Sequence, residues 1–224
     1  MNNTVVVIAP HPDDETLGCG GTILKHKQKG DRVFWLIVTC ISEELGYSAE
    51  KVMARKDEIE QVASAYGFDG VRLMNLPSTS LDEIPKSIMI KKFGNLLGEI
   101  QPDIVYAPYR TDAHSDHEVV FDATVACSKS FRSPFIKIIR IYETLSETEF
   151  GMRPEDSGFR PNFYVNISEF LDRKIEIMNI YEGEVQPHPF PRSMESIRSL
   201  ACLRGSFAGC SYSEAFMSLK ETWR

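Results

Sequence analysis

Four side chains able to bind a metal or move a proton near neutral pH crowd into one short run, A-P-H-P-D-D-E, which carries His11, Asp13, Asp14 and Glu15. A second run, D-A-H-S-D-H from Asp112 to His117, repeats the mixture with His114, Asp116 and His117. Three of the five histidines therefore fall in two polar stretches, while His26 and His188 lie elsewhere. Two neutral imidazoles and one carboxylate are the ligand set of an open catalytic zinc, which keeps positions for water and substrate. Two His and a carboxylate also make the facial triad of non-haem Fe(II) oxygenases, so residue types alone leave both chemistries open. Any one of these residues could equally be a polar loop residue capping a helix. Two such runs together point to a metal site.

Each run follows an apolar stretch and precedes a helix. Val5 to Ala9 has no polar interruption, as a strand covered on both faces of a parallel sheet requires. Pro10 and Pro12 end that strand and stiffen the backbone around His11. Gly18, Gly20 and Gly21 lead into a short helix over Thr22 to Gln28. Further strands are expected at Arg32 to Cys40, Val71 to Leu76, Asp103 to Ala107, Ile136 to Tyr142 and Asn162 to Ile167. Helices are expected over Ala49 to Tyr66, Ile84 to Ile100, Glu118 to Lys129 and from a Ser168 cap to about Tyr181, with helix-like patterns at Met194 to Leu203 and Tyr212 to Leu219. Alternating strands and helices imply right-handed crossovers and a parallel sheet. The expected fold class is α/β, a three-layer α/β/α sandwich on a Rossmann-like, mostly parallel sheet. Ligands of such sheets bind beyond the carboxyl ends of the strands, where both polar runs emerge. The glycine pattern G-C-G-G is not the dinucleotide fingerprint, and the acids beside it would repel a pyrophosphate.

A chain of 224 residues is long enough for one well-buried core, so one domain over 1–224 is expected, with about 183–224 as a lid or cover. The formal net charge is −7 with no basic cluster beyond short pairs, which argues against nucleic acid as a partner. No apolar run approaches the roughly 20 residues of a membrane span, and no signal stretch opens the chain, so a soluble, cytoplasmic protein is expected. Five scattered cysteines without a C-x-x-C pair argue against a disulfide framework or a thiolate zinc site.

The run Ala9 to Gly21 together with Asp112 to His117 resembles the PIG-L (LmbE-like) family of metal-dependent de-N-acetylases. Weaker likenesses at Arg55-x-x-Glu58 and at R-G-S-F-A-G-C-S-Y-S-E-A-F extend the resemblance over nearly the whole chain. The resemblance implies His11, Asp14 and His117 as the ligands of Zn2+, with Fe2+ or Co2+ also compatible with that donor set. It implies Asp13 as general base and His114 as an imidazolium that stabilises the oxyanion and protonates the leaving amine. Asp116 would orient an imidazole, or serve as an acid at a helix start. Arg55 would contact a sugar hydroxyl or phosphate, or only pair with Glu58, and His188 in Q-P-H-P-F-P would approach the pocket from the C-terminal region. Ser115 replaces the proline usual in the family's second motif, and the loop Leu76 to Asp82 departs from the family where relatives often place a sugar-binding Asp. The implied activity is hydrolysis of an N-acetyl group from an N-acetylglucosamine-type sugar or glycoconjugate, a small-molecule partner. The competing classes are the Fe(II) oxygenase and a non-catalytic sugar-binding protein on the same fold.

Overall fold

The computed structural model describes residues 2–223. Seven strands form one sheet: β1 (Thr4–Ala9), β2 (Arg32–Cys40), β3 (Gly70–Pro77), β4 (Ile104–Pro108), β5 (Ile138–Tyr142), β6 (Phe163–Asn166) and β7 (Ser213–Glu221), in the order β3-β2-β1-β4-β5-β7-β6. β1 to β5 run parallel, and β7 is antiparallel to both of its neighbours. The helices are α1 (Asp14–Gln28), α2 (Ala49–Tyr66), α3 (Lys86–Ile100), α4 (Ser115–Cys127), α5 (Leu171–Met178) and α6 (Met194–Ala208).

Strand alternation divides the core into two layers. Val6 and Ile8 pack with Phe93 and Leu97 of α3 and Val120 of α4, whereas Val5 and Val7 pack with Ile23 of α1, Val62 of α2, Ile177 of α5 and Ile197 of α6. β1 is buried along its whole length, as its unbroken apolar run requires. No helix among the described residues is long and apolar enough to cross a membrane.

Apart from α5, which runs Leu171–Met178 after Phe170 and is not capped by Ser168, three elements differ from the sequence expectation. α1 begins at Asp14 and not at Thr22, so Gly18, Gly20 and Gly21 lie inside it. They are there for approach: a Cβ on Gly21 would stand 2.6 Å from Cβ and Cγ2 of Ile167, and one on Gly18 would meet the ring of Tyr142. α4 likewise begins earlier, at Ser115. The third is a correction: Tyr212 to Leu219 is not helical, because Ser213–Glu221 is β7, inserted between β5 and β6. Pairing on both sides overrides the helix-forming Glu, Ala, Met, Leu and Lys of this stretch.

The C-terminal motif is thereby tied to the helix that follows the first polar run. Glu214 accepts hydrogen bonds from the amides of Gly21 and Thr22, both at 2.8 Å. Lys174 Nζ donates to the Leu17 carbonyl and to Glu214, also at 2.8 Å. This buried pair bonds both the Leu17 carbonyl and the Gly21 amide of α1. Gly21→Ala is expected to destabilise the fold by about 1–2 kcal/mol, because overpacking costs about 1–3 and the better helix propensity offsets at most about 1. A urea unfolding midpoint no lower than wild type would contradict the close approach to Ile167.

Candidate active site

The two polar runs meet because β1 and β4 are neighbours, paired in register from Val5 with Ile104. α2 lies in the layer with α1, and α3 in the layer with α4, so the crossovers change face between β1 and β4 and open a crevice at their carboxyl ends. A cavity of about 250 Å³ lies there, lined among others by His11, Asp13, Asp14, His114 and His117.

The first turn is held under strain. Asp13 has φ 135, a conformation that costs a non-glycine residue about 1–3 kcal/mol. Its amide donates to Glu15 Oε2 at 3.1 Å, and its carbonyl starts α1 by accepting from Thr16 and Leu17 at 3.0 and 2.9 Å. Glu15 is wholly buried and takes further hydrogen bonds from Tyr181 Oη at 2.7 Å and Thr16 Oγ1 at 2.5 Å. Burial pushes its carboxyl up to about 7 against those hydrogen bonds.

One donor atom from each of His11, Asp14 and His117 lies within 4.8 Å of the others. His117 is fully buried, with Nδ1 2.7 Å from Asp112 Oδ2 and Nε2 3.4 Å from Asp14 Oδ2. Its Nε2 has no hydrogen-bond partner among the described residues. A bare, buried imidazole nitrogen facing a carboxylate is what a metal seat requires. His11 matches it: Nε2 lies 3.0 Å from Asp116 Oδ2, while Nδ1 lies 3.3 Å from Asp14 Oδ2. Each imidazole thus has a carboxylate behind it, which fixes the tautomer and aims the other nitrogen at Asp14.

The electrostatics follow from this cage. Burial lowers His11, but hydrogen bonds to Asp116 and Asp14 outweigh it and raise its pKa to about 9. Burial likewise opposes charge on His117, and Asp14 and Asp112 raise it well above its ordinary value. Asp14 is held far below the usual carboxylate range, its burial overcome by His117 and His11. Asp13 goes the other way, pushed well up by burial and then by the charges of Asp14 and Glu184.

Another combination, His11, His114 and Asp116, also has donor atoms within 4.8 Å of one another, but its donors are spent. His114 Nδ1 accepts the Asp116 amide at 3.1 Å, and Asp116 accepts from Thr79 N at 2.9 Å and Leu81 N at 3.2 Å. The Asp116 carboxylate faces His11, with His114 Nδ1 3.8 Å from it, and one consequence differs from the sequence reading. An accepting Nδ1 makes His114 a neutral ring with hydrogen on Nε2, not an imidazolium, and burial together with the charge on His11 lowers its pKa.

Arg55 lines the cavity and pairs with Glu58 at 3.2 Å. His188 is exposed and does not line the cavity; Glu184 and Arg192 of the same segment do. Asp112 is legible in principle, since it shares a run with His117 and ligating histidines usually lean on a carboxylate. Glu184 and Arg192 carry no local signal, being ordinary charged residues beside a proline-rich turn.

A family profile described as PIG-L: GlcNAc-PI de-N-acetylase matches residues 6–128, which hold both polar runs. The chain belongs to this family. The diacetylchitobiose deacetylase of Thermococcus kodakarensis is 26% identical over 232 residues, 94% of this chain and 80% of that protein. The probable N-acetyl-alpha-D-glucosaminyl L-malate deacetylase 2 of Bacillus cereus is 25% identical, over 83% of this chain and 86% of its own. The conserved protein TT1542 from Thermus thermophilus superposes with a TM-score of 0.77 at 26% identity, covering 100% of this chain and 97% of that one.

In this member of the family, Asp112→Asn is expected to weaken divalent-metal affinity about 10- to 100-fold, through loss of the carboxylate behind His117. Competition with a chromogenic chelator measures it; unchanged affinity would reduce the Asp112 contact to a structural one.

Proposed function

We propose that this protein is a zinc-dependent deacetylase that hydrolyses the N-acetyl group of an N-acetylglucosamine-type sugar or glycoconjugate. The observation that carries the reading is the convergence of donor atoms of His11, Asp14 and His117 within 4.8 Å, with the buried His117 Nε2 unpartnered among the described residues, beside a second, separately held carboxylate on Asp13. The names of the two relatives, a deacetylase of diacetylchitobiose and a probable deacetylase of a glucosaminyl malate, support the substrate class. The nitrogen and oxygen donors suit Zn2+ and also accept Fe2+ or Co2+.

A bound divalent cation at these three residues supplies Lewis acidity, polarising the amide carbonyl and acidifying water. Asp13 takes the proton as the water oxygen attacks the carbonyl carbon. Its raised pKa makes the protonated carboxyl a competent donor, so the same group can return that proton to the departing nitrogen as the C–N bond breaks. His114, with hydrogen on Nε2, donates to the oxygen on which charge develops. Acetate and a free amine leave. Asp116 and Asp112 hold His11 and His117 in their tautomers throughout.

Asp13→Asn is expected to retain bound metal while kcat falls about 10²- to 10⁴-fold, the usual contribution of a general base. Asp14→Asn is expected to lose metal affinity, because an amide oxygen is a poorer ligand. Metal content and acetate release across a panel of N-acetylated sugars and conjugates measure both; loss of metal in Asp13→Asn with retention in Asp14→Asn would reverse the roles.

The base must be deprotonated to act, so kcat/KM is expected to climb with pH through an acidic limb that Asp13→Asn removes. An unchanged acidic limb in Asp13→Asn would remove Asp13 as the base.

A further inference from the structure

We propose that Arg192 is a positioning residue for the Asp13 carboxylate, and that Glu184 and Arg55 hold Arg192 in place. Arg192 Nη1 lies 3.1 Å from Asp13 Oδ2, and its Nη2 lies 3.1 Å from Glu184 Oε2. Glu184 Oε1 meets Arg55 Nη2 at 2.5 Å, and Arg55 Nη1 donates to the Pro12 carbonyl at 3.2 Å. The chain of contacts is a closed circuit: it leaves the catalytic turn at Asp13 and returns to it at Pro12. It is also anchored to α2, where Glu58 accepts from the Glu182 amide at 2.9 Å and pairs with Arg55 Nε at 3.2 Å.

This circuit answers a need that the catalytic turn leaves unmet. The backbone of Asp13 is pinned by Glu15, but its side chain is not: Arg192 is the one hydrogen-bond donor to its carboxylate among the described residues. A carboxylate beside the charge of Asp14 is driven to rotate away from it. The guanidinium opposes that by binding Oδ2, which leaves Oδ1 without a donor and available for a proton. A planar fork held at both ends loses little freedom in doing so, and its second arm is spent on Glu184 rather than left for ligand. Arg192 is three-quarters buried, and its Nε has no partner among the described residues. The segment singled out for His188 thus acts on the site through a different residue.

The inference rests on Asp13 being the base, and the test separates the two. Arg192→Ala, Arg192→Lys, Asp13→Asn and the double variant Asp13→Asn/Arg192→Ala are prepared as zinc-reconstituted protein. Each is assayed by acetate release on the N-acetylated sugar that wild type turns over fastest. Arg192→Ala is expected to lower kcat about 10- to 100-fold, with KM within about threefold and full metal content. Arg192→Lys is expected to recover part of the loss, since an ammonium can still reach Asp13 but not bridge to Glu184. The double variant is expected to be no slower than Asp13→Asn by more than about twofold, because the arginine acts through that carboxylate. A crystal structure of Arg192→Ala should show the Asp13 side chain displaced while His11, Asp14 and His117 keep their places. A rise in KM at unchanged kcat would make Arg192 a substrate contact and overturn the proposal, as would additive losses in the double variant or an unmoved Asp13. Wild-type kcat in Asp13→Asn would overturn the base reading and this inference with it. Reduced kcat in Asp13→Asn but not in Arg192→Ala would overturn this inference alone.

Discussion

Asp13 and Asp14 are adjacent in sequence, both almost fully buried, and both line one cavity. Two carboxylates so placed repel each other in a medium that screens poorly. Everything around them separates their circumstances. Asp14 receives the two imidazoles and is stabilised as an anion, whereas Asp13 receives one arginine that it reaches only at its outer oxygen. The result is a pair of neighbouring acids driven in opposite directions, one down and one up. Such a division of environment assigns roles to a pair of like groups.

That turn is rigid because of elements far from it. Glu15 fastens the Asp13 amide from within the core, and Tyr181 fastens Glu15. α1 lies close enough to Ile167 and Tyr142 that only glycine fits at the points of approach. The C-terminal motif does structural work of the same kind: Glu214 and Lys174 grip α1, and Arg204 pairs with Glu143 just past β5 at 2.8 Å. On the other side, Asp116 orients His11 and holds the amides of Thr79 and Leu81, so the loop after β3 shares an anchor with a proposed ligand. A local change at either turn is therefore felt through several elements at once.

How much of this is legible in the sequence depends on the range of the cause. The strands before both polar runs, and the runs themselves, declare themselves locally through unbroken apolar stretches and dense His and Asp. The start of α1 does not, because three glycines weaken the local helix signal and only packing on Tyr142 and Ile167 explains them. β7 defeats a local reading for the same reason: its residues favour a helix, and its strand state comes from partners such as Ile141 and Tyr164 far back in the chain. The Arg192 contact to Asp13 spans 179 positions, and no spacing rule reaches that far. His114 shows a subtler limit. Its presence is readable, but its charge state depends on which nitrogen accepts the Asp116 amide.

The cage around His11 and His117 explains why residues so costly to bury are tolerated together. Asp14, Asp112 and Asp116 surround two imidazoles, and without positive charge among them three buried carboxylates would lie close to one another. The raised proton affinity of both rings expresses that deficit. A divalent cation and a pair of protons satisfy the same deficit and compete for the same nitrogens, since a ligating imidazole must give up its proton. Asp112 and Asp116 decide which nitrogens are contested: by accepting from one face of each ring they leave the other face bare toward Asp14. Fold, charge and reactivity thus meet in one requirement, that a buried cluster of acids be neutralised at a point open to a cavity.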